Sequence, residues 1–292
     1  MNATPFFSVI IPVFNAENYL RKAVQSALQF SCVKEVLLIE DASPDNALAL
    51  CEKLAEEDDR VKVFTHPNNE NKGAGASRNL GIEKSTCDFI AFLDADDWYL
   101  PNRFDAEKII FQDENIDGVY GATGFFYQET DTIDPSKLTT ILPVVRQENL
   151  LFEFVRPYGG RFTTNAITYR KSFLKNIGLF ETNLRLHQDT ELFIRSIVKG
   201  NLESGICTKP IAYRRVHDNN RIINAKKADK ILFYETILLE LMQEKPKIES
   251  SVLRVLVKSL VIEKSTSNSL LSRIIAGTNL FLKQPNWIIR LL

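Results

Sequence analysis

The chain reads as an α/β fold: a mainly parallel central sheet flanked by helices, followed by a helical extension. Three observations point to it. Short β-branched runs alternate with amphipathic stretches of about a dozen residues through roughly the first hundred positions, as parallel strands joined by right-handed crossovers require. From about Asp117 the pattern turns to short strands and loops, and after Asn224 it is almost wholly helical. With 292 residues, 45% hydrophobic and 25% charged, the chain has the length and composition to bury a full core.

Taken in order, residues 8–14 form a first strand and residues 17–30 an amphipathic helix. Residues 36–39 form a second strand, ending at Glu40-Asp41. Ser43-Pro44-Asp45 then supplies a helix N-cap and a first-turn proline, for a helix through Leu48, Leu50, Cys51 and Leu54. Residues 61–64 and 89–93 are the third and fourth strands, and a helical pattern begins near Trp98. Further on, residues 131–137 are polar and residues 157–164 are rich in turn formers. A helix pattern returns at residues 189–195.

Charge and cysteine usage exclude several classes. With 36 basic and 37 acidic residues the net charge is −1, so no whole-chain signal for nucleic acid exists. The four cysteines form no Cys-x-x-Cys pair, which argues against a zinc site or disulfide framework and suits a reducing compartment. The start, Met-Asn-Ala-Thr-Pro-Phe-Phe, lacks the basic and apolar regions of a signal peptide. No run of about 18 uncharged apolar residues occurs. A cytoplasmic protein is expected.

The last segment differs. After Glu263 there is no acidic residue, while Lys264, Arg273, Lys283 and Arg290 remain. Leu270, Leu271, Ile274 and Ile275 share one helical face, and Trp287-Ile288-Ile289-Arg290-Leu291-Leu292 follows. Two readings stay open for residues 264–292. One is peripheral contact with the inner face of the cell membrane. The other is an apolar face packed on the main domain or on a second subunit of a homo-oligomer.

The chemistry centres on Leu93-Asp94-Ala95-Asp96-Asp97, directly after the apolar run Phe89-Ile90-Ala91-Phe92. Three carboxylates at a strand end stand where α/β folds hold ligands. They repel one another unless a cation or donors neutralise them. A Mg²⁺ or Mn²⁺ ion carrying a diphosphate would do so, since such ions take one or two protein carboxylates plus phosphate oxygens. The plain alternative is a solvated acidic turn before a helix.

Three more segments precede this one: Pro12-Val13-Phe14-Asn15 after the first strand, Glu40-Asp41-Ala42-Ser43-Pro44-Asp45 after the second, and Gly73-Ala74-Gly75-Ala76-Ser77-Arg78-Asn79-Leu80-Gly81. In that order and spacing the four resemble the family 2 glycosyltransferases, whose fold is GT-A. The likeness spans about residues 5–220. Two later segments extend it: His187-Gln188-Asp189-Thr190-Glu191 and Tyr213-Arg214-Arg215-Val216-His217.

The resemblance implies a GT-A domain over residues 1–224, with a nucleotide-sugar-binding half at about 5–115 and an acceptor half at 116–224. Residues 225–292 are then a helical extension. It implies metal-dependent, inverting transfer from a nucleoside-diphosphate sugar, a UDP-sugar favoured, to a hydroxyl of a glycan or lipid-linked acceptor in bacterial surface-polysaccharide assembly. Nucleotide contacts are implied for Pro12, Val13, Asn15, Asp41, Gly75, Arg78 and Asp96. Mn²⁺ or Mg²⁺ ligands are implied among Asp94, Asp96, Asp97 and His217. Asp189 matches the family's base, which takes the acceptor's proton.

Each role has a plainer counterpart. Asp41 can accept a hydrogen bond from a uracil imide or merely cap its turn, and Arg78 can hold phosphates or pair with an acid. Asp189 can be the base or a helix N-cap, and the helix dipole favours a carboxylate there. Glu191 is structural or acceptor-facing, and His217 is a metal ligand or an ordinary histidine. Arg214 and Arg215 can hold diphosphate oxygens bidentately. The chain departs from the family pattern at Phe14 (usually Tyr), Glu40 (usually Asp) and Ala42 (usually Gly). A sugar-phosphate nucleotidyltransferase would carry its Gly-rich loop directly after the first strand, where this chain has Phe14-Asn15-Ala16-Glu17. A non-catalytic nucleotide- or glycan-binding member of the same fold is the other alternative.

Overall fold

The β-branched runs become strands whose bounds fall within a few residues of the expected ones. In chain order the first part of the chain contains β1 (Phe7–Val13), α1 (Leu20–Leu28), β2 (Val33–Glu40), α2 (Ala47–Glu57), β3 (Val61–Thr65), α3 (Ala74–Lys84), β4 (Phe89–Phe92), β5 (Trp98–Tyr99) and α4 (Glu107–Ile110). There follow β6 (Gly118–Tyr120), β7 (Ala122–Tyr127), β8 (Thr132–Thr139), α5 (Gln147–Val155), β9 (Ile167–Arg170), α6 (Lys171–Ile177), α7 (Gln188–Lys199), β10 (Leu202–Ser204) and β11 (Pro210–Val216). The final helices are α8 (Lys227–Gln243), α9 (Ser250–Lys264) and α10 (Leu270–Lys283). The structure, a computed structural model, describes residues 5–217, 226–243, 248–265 and 269–283. The boundary expected at 224/225 and the segment 287–292 lie outside the described residues.

Seven strands form the central sheet in the order β10-β6-β9-β4-β1-β2-β3. β1 pairs in parallel with both β2 and β4, and β2 with β3, while β9 runs antiparallel between β4 and β6. The sheet is therefore mainly parallel. Side-chain alternation splits its apolar residues between two cores. Val9, Ile11, Val36 and Leu38 face α1 and α2, whereas Ile10, Leu37, Ile39 and Phe92 face the core shared with α5, α7, α8 and α9. Phe233, Ile237 and Leu238 of α8 and Leu253, Leu256 and Leu260 of α9 are buried in that second core.

A four-stranded sheet, β5-β11-β7-β8, stands beside the first. It corrects two expectations. Trp98 begins no helix: Trp98 and Tyr99 pair with Tyr213 and Ala212 of β11. The polar stretch at 131–137 is mostly β8, an edge strand on β7. Its residues are largely exposed and include Pro135, so it carries no alternating pattern to read.

No helix among the described residues is long and apolar enough to cross a membrane. On α10, Ile274 and Ile275 are 54% and 52% exposed.

The helical extension meets the main domain through an acidic contact. Burial, then the charge of Glu191, raises the pKa of Glu240 on α8 to about 7. Its folded value lies above its unfolded one, so its stabilising share is complete at low pH and is lost as pH rises through about 7. Urea unfolding between pH 5 and pH 8 should show stability falling over this window, and Glu240→Gln should flatten the fall and gain stability at pH 8.

Candidate active site

The strand carrying the acidic run ends at Phe92, and residues 94–97 form a tight turn closed by the Asp97 N–H donating to the Asp94 carbonyl at 3.0 Å. Each carboxylate has a different fate. Asp94 accepts from Arg78 Nη2 at 2.6 Å. Asp96 lies 3.1 Å from His217 Nε2, and its carbonyl accepts from Arg215 Nε at 3.0 Å. Asp97 is only 3% exposed, with one oxygen accepting from the Arg215 N–H at 2.7 Å and the other from Asn165 Nδ2 at 2.5 Å. Burial, then Asp96 and Asp94, holds the Asp97 carboxyl well above the usual carboxylate range.

Asp97, expected as a ligand, is turned inward and fastens β11 to the turn with both oxygens engaged. The side chains of Asp94 and Asp96 remain about one-third exposed, at 37% and 32%. Among the described residues no three His, Cys, Asp or Glu side chains form a ready-made ligand cluster. Asp94 and Asp96 offer hard carboxylate oxygens and His217 a borderline imidazole nitrogen, a partial set of the sort that phosphate oxygens complete.

His217 and Arg215 are themselves fixed by aromatic rings. His217 stacks on Tyr19 at 5.6 Å between centroids, and the Arg215 guanidinium lies 4.8 Å from Tyr19, 5.2 Å from Trp98 and 5.3 Å from Phe126. Tyr19, in the turn before α1, thereby joins the first half of the chain to the end of β11.

The loops after β1 and β2 form a second cluster. The Asp41 N–H donates to the Val13 carbonyl at 2.9 Å, and the Asn15 N–H to Ser43 Oγ at 3.2 Å. Asn15 is exposed and Pro12 half-buried. Asp41 is 2% exposed, and its carboxylate accepts from the Lys72 N–H at 2.7 Å and the Gly73 N–H at 2.8 Å. It therefore holds the Gly-rich loop, with further lone pairs left to accept. His66, given no role by sequence, backs it: His66 Nε2 lies 3.6 Å from Asp41 Oδ1 and 3.1 Å from Ser77 Oγ. Glu40 accepts from the Ala42 and Ser43 N–H groups, which leaves Ala42 at φ +57°.

Helix α3 links these clusters to α7. Gly73 precedes it at φ +86°, and a Cβ on Gly75 would lie 2.7 Å from Gln188 Oε1. Three residues on, on the same helical side, Arg78 reaches Asp94. Arg78 is 7% exposed, and its Nε has no hydrogen-bond partner among the described residues. Gln188 immediately precedes Asp189, which is partly exposed in the first turn of α7 and accepts from its neighbour's Thr190 N–H at 2.8 Å. His187, at φ +65°, precedes that helix, and burial lowers its pKa and favours the neutral ring. Glu191 is fully buried and forms a bidentate pair with Arg195, so it is structural rather than acceptor-facing.

Residues 8–177 match the model of Glycosyl transferase family 2. The chain belongs to that family. It is 38% identical over 191 residues to an uncharacterized glycosyltransferase of Haemophilus influenzae, a match covering 65% of this chain and 71% of the relative. It is 25% identical over 235 residues to the minor teichoic acid biosynthesis protein GgaA of Bacillus subtilis, covering 75% of this chain and 49% of that one. Its fold resembles S. aureus TarS 1–349, crystallised in complex with UDP-GlcNAc, with TM-score 0.67 and 22% identity over 98% of this chain and 79% of TarS 1–349. This family 2 glycosyltransferase accordingly has the GT-A fold.

Asn165, Tyr19 and His66 are the site neighbours that sequence reasoning missed. None lies in a local motif; each is defined by partners 11 to 198 positions away in the chain.

Two substitutions test this geometry. A non-glycine residue at positive φ costs about 1–2 kcal/mol, so Ala42→Gly should raise unfolding free energy by about 1 kcal/mol in denaturant titration. Gly75→Ala should displace Gln188 and lower transfer by about tenfold to a hundredfold in steady-state nucleotide-release assays, with the fold retained.

Proposed function

We propose that this glycosyltransferase moves a sugar from a nucleoside-diphosphate sugar, a UDP-sugar favoured, to a hydroxyl of a growing cell-surface glycan, with inversion at the anomeric carbon. The observation that carries the reading is the convergence on α3: Arg78 on the Asp94 carboxylate, and Gly75 against Gln188 beside Asp189. A charged, diphosphate-competent turn and a partly exposed carboxylate at a helix start thus approach one helix.

In this reading the acceptor oxygen attacks the anomeric carbon as its proton passes to an Asp189 carboxylate oxygen. The bond from that carbon to the diphosphate oxygen breaks, and its electron pair leaves with the nucleoside diphosphate. Attack from the side opposite the leaving group inverts the centre. Asp96, Asp94 and His217 would hold Mn²⁺ or Mg²⁺, which when bound offsets the charge developing on the leaving diphosphate. Arg78, buried and permanently cationic, adds a fixed positive charge at the same turn. Pro12 and the buried Val13 at the end of β1, Asn15 in the loop after it and Asp41 directly after β2 would form the nucleoside end of the site.

The acceptor class draws on the relatives named for teichoic acid biosynthesis and as TarS. The exposed Ile274 and Ile275 beside Arg273 support peripheral contact at the inner face of the membrane, with residues 225–292 as a helical extension to the catalytic residues 1–224.

Thermal shift against UDP, GDP, CMP and dTDP, each with and without Mn²⁺, tests the donor. A metal-dependent shift is expected with UDP. Asp96→Ala should abolish it. Asp189→Asn should keep the shift and lower kcat by about 10²- to 10⁴-fold. Loss of nucleotide binding in Asp189→Asn would remove that residue from the role of base.

A further inference from the structure

The turn that presents Asp96 is held at both ends by one side chain. Asn165, 2% exposed in the turn Thr164–Ala166, accepts from the Asp94 N–H through Oδ1 at 2.9 Å and donates from Nδ2 to Asp97 Oδ2 at 2.5 Å. A backbone N–H can only donate, so the amide oxygen must face Asp94 and the amide nitrogen must face Asp97. The neighbouring Thr164 hydroxyl reaches Asp94 Oδ2 at 3.4 Å. Asn165 touches neither Asp96 nor His217 in any hydrogen bond among the described residues. It instead spans the four-residue turn from its first N–H to its last carboxylate, with Asp96 between them.

We infer that Asn165 is a positioning residue for cation binding: by clamping both ends of residues 94–97 it fixes the direction in which the Asp96 carboxylate points. The inference rests on the proposed role of the acidic turn. The physics is specific to an amide. Aspartate has the same shape and can still accept from the Asp94 N–H, but its second oxygen would face the Asp97 carboxylate, adding a fourth acid to the cluster. Alanine removes both bonds and leaves the buried Asp97 carboxylate with the Arg215 N–H as its one hydrogen-bond donor among the described residues. Groups that orient metal ligands without touching the metal typically change its affinity by about 10- to 100-fold.

The test is UDP binding by calorimetry, with Mn²⁺ and separately with EDTA, for the wild-type chain, Asn165→Ala, Asn165→Asp and Asp96→Asn. Asn165→Ala should lose about 10- to 100-fold in Mn²⁺-dependent UDP affinity while its affinity in EDTA stays unchanged. The isosteric Asn165→Asp should lose at least as much, a result that loss of packing volume does not produce. Wild-type Mn²⁺ dependence in both Asn165 variants, alongside its loss in Asp96→Asn, overturns the inference. Failure of the wild type to bind UDP with Mn²⁺, or an unaffected Asp96→Asn, overturns the reading of the acidic turn, and this inference with it. The wild-type chain gives a reading independent of the folding of any variant: with Mg²⁺ and UDP, the Asn165 side-chain amide protons should be protected from solvent exchange. Unprotected protons there overturn the clamp.

Discussion

Three carboxylates within four positions set the main constraint on this molecule. Coulomb repulsion at such spacing, in a site where one acid is almost wholly buried, has to be answered by donors from elsewhere in the chain. The donors come from three separate parts of the chain. Arg78 arrives on α3, Asn165 from the turn before β9, and the Arg215 N–H and His217 from β11 and its end. The acidic turn is thus a junction between the seven-stranded and four-stranded sheets. Asp97 fastens that junction, accepting from Asn165 and the Arg215 N–H, and is turned away from solvent.

The same demand accounts for what the sequence showed and what it hid. β1, β2 and β4 were legible because a strand buried on both faces is a continuous apolar run, and α7 because its motif and period coincide. β5 is two residues long and is a strand only through its pairing with Tyr213 and Ala212, more than a hundred positions later. β8 is exposed on both sides, so no face marks its period. The acidic run, the Gly-rich loop and Asp189 were legible as motifs. Asn165 was not, because its function is to reach the acidic turn from 68 positions away.

Departures from the family pattern become intelligible in the same terms. Glu40 is one methylene longer than aspartate, yet it is buried and its carboxylate accepts from two N–H groups of its own turn, so the loop is shaped by the acid irrespective of which acid it is. Ala42 adopts φ +57°, a conformation that glycine takes without a steric penalty. The turn is kept at a local cost, because Asp41 beside it holds the Lys72 and Gly73 N–H groups and with them the start of α3.

Helix α3 is also where the helical extension makes itself felt. Glu240 on α8 faces Glu191, which pairs with Arg195; Arg195 donates to the carbonyls of Ile177, Gly178 and Leu179. The next residue, Phe180, exchanges two hydrogen bonds with Asn79 of α3, each 2.9 Å, and its ring lies 5.4 Å from the guanidinium of Arg78. A continuous series of polar contacts therefore runs from α8 to the residue that neutralises Asp94. Contiguity alone is not coupling, which needs an element with two arrangements. Glu240 enters this series as an acid facing another acid, and burial and the charge of Glu191 raise its pKa.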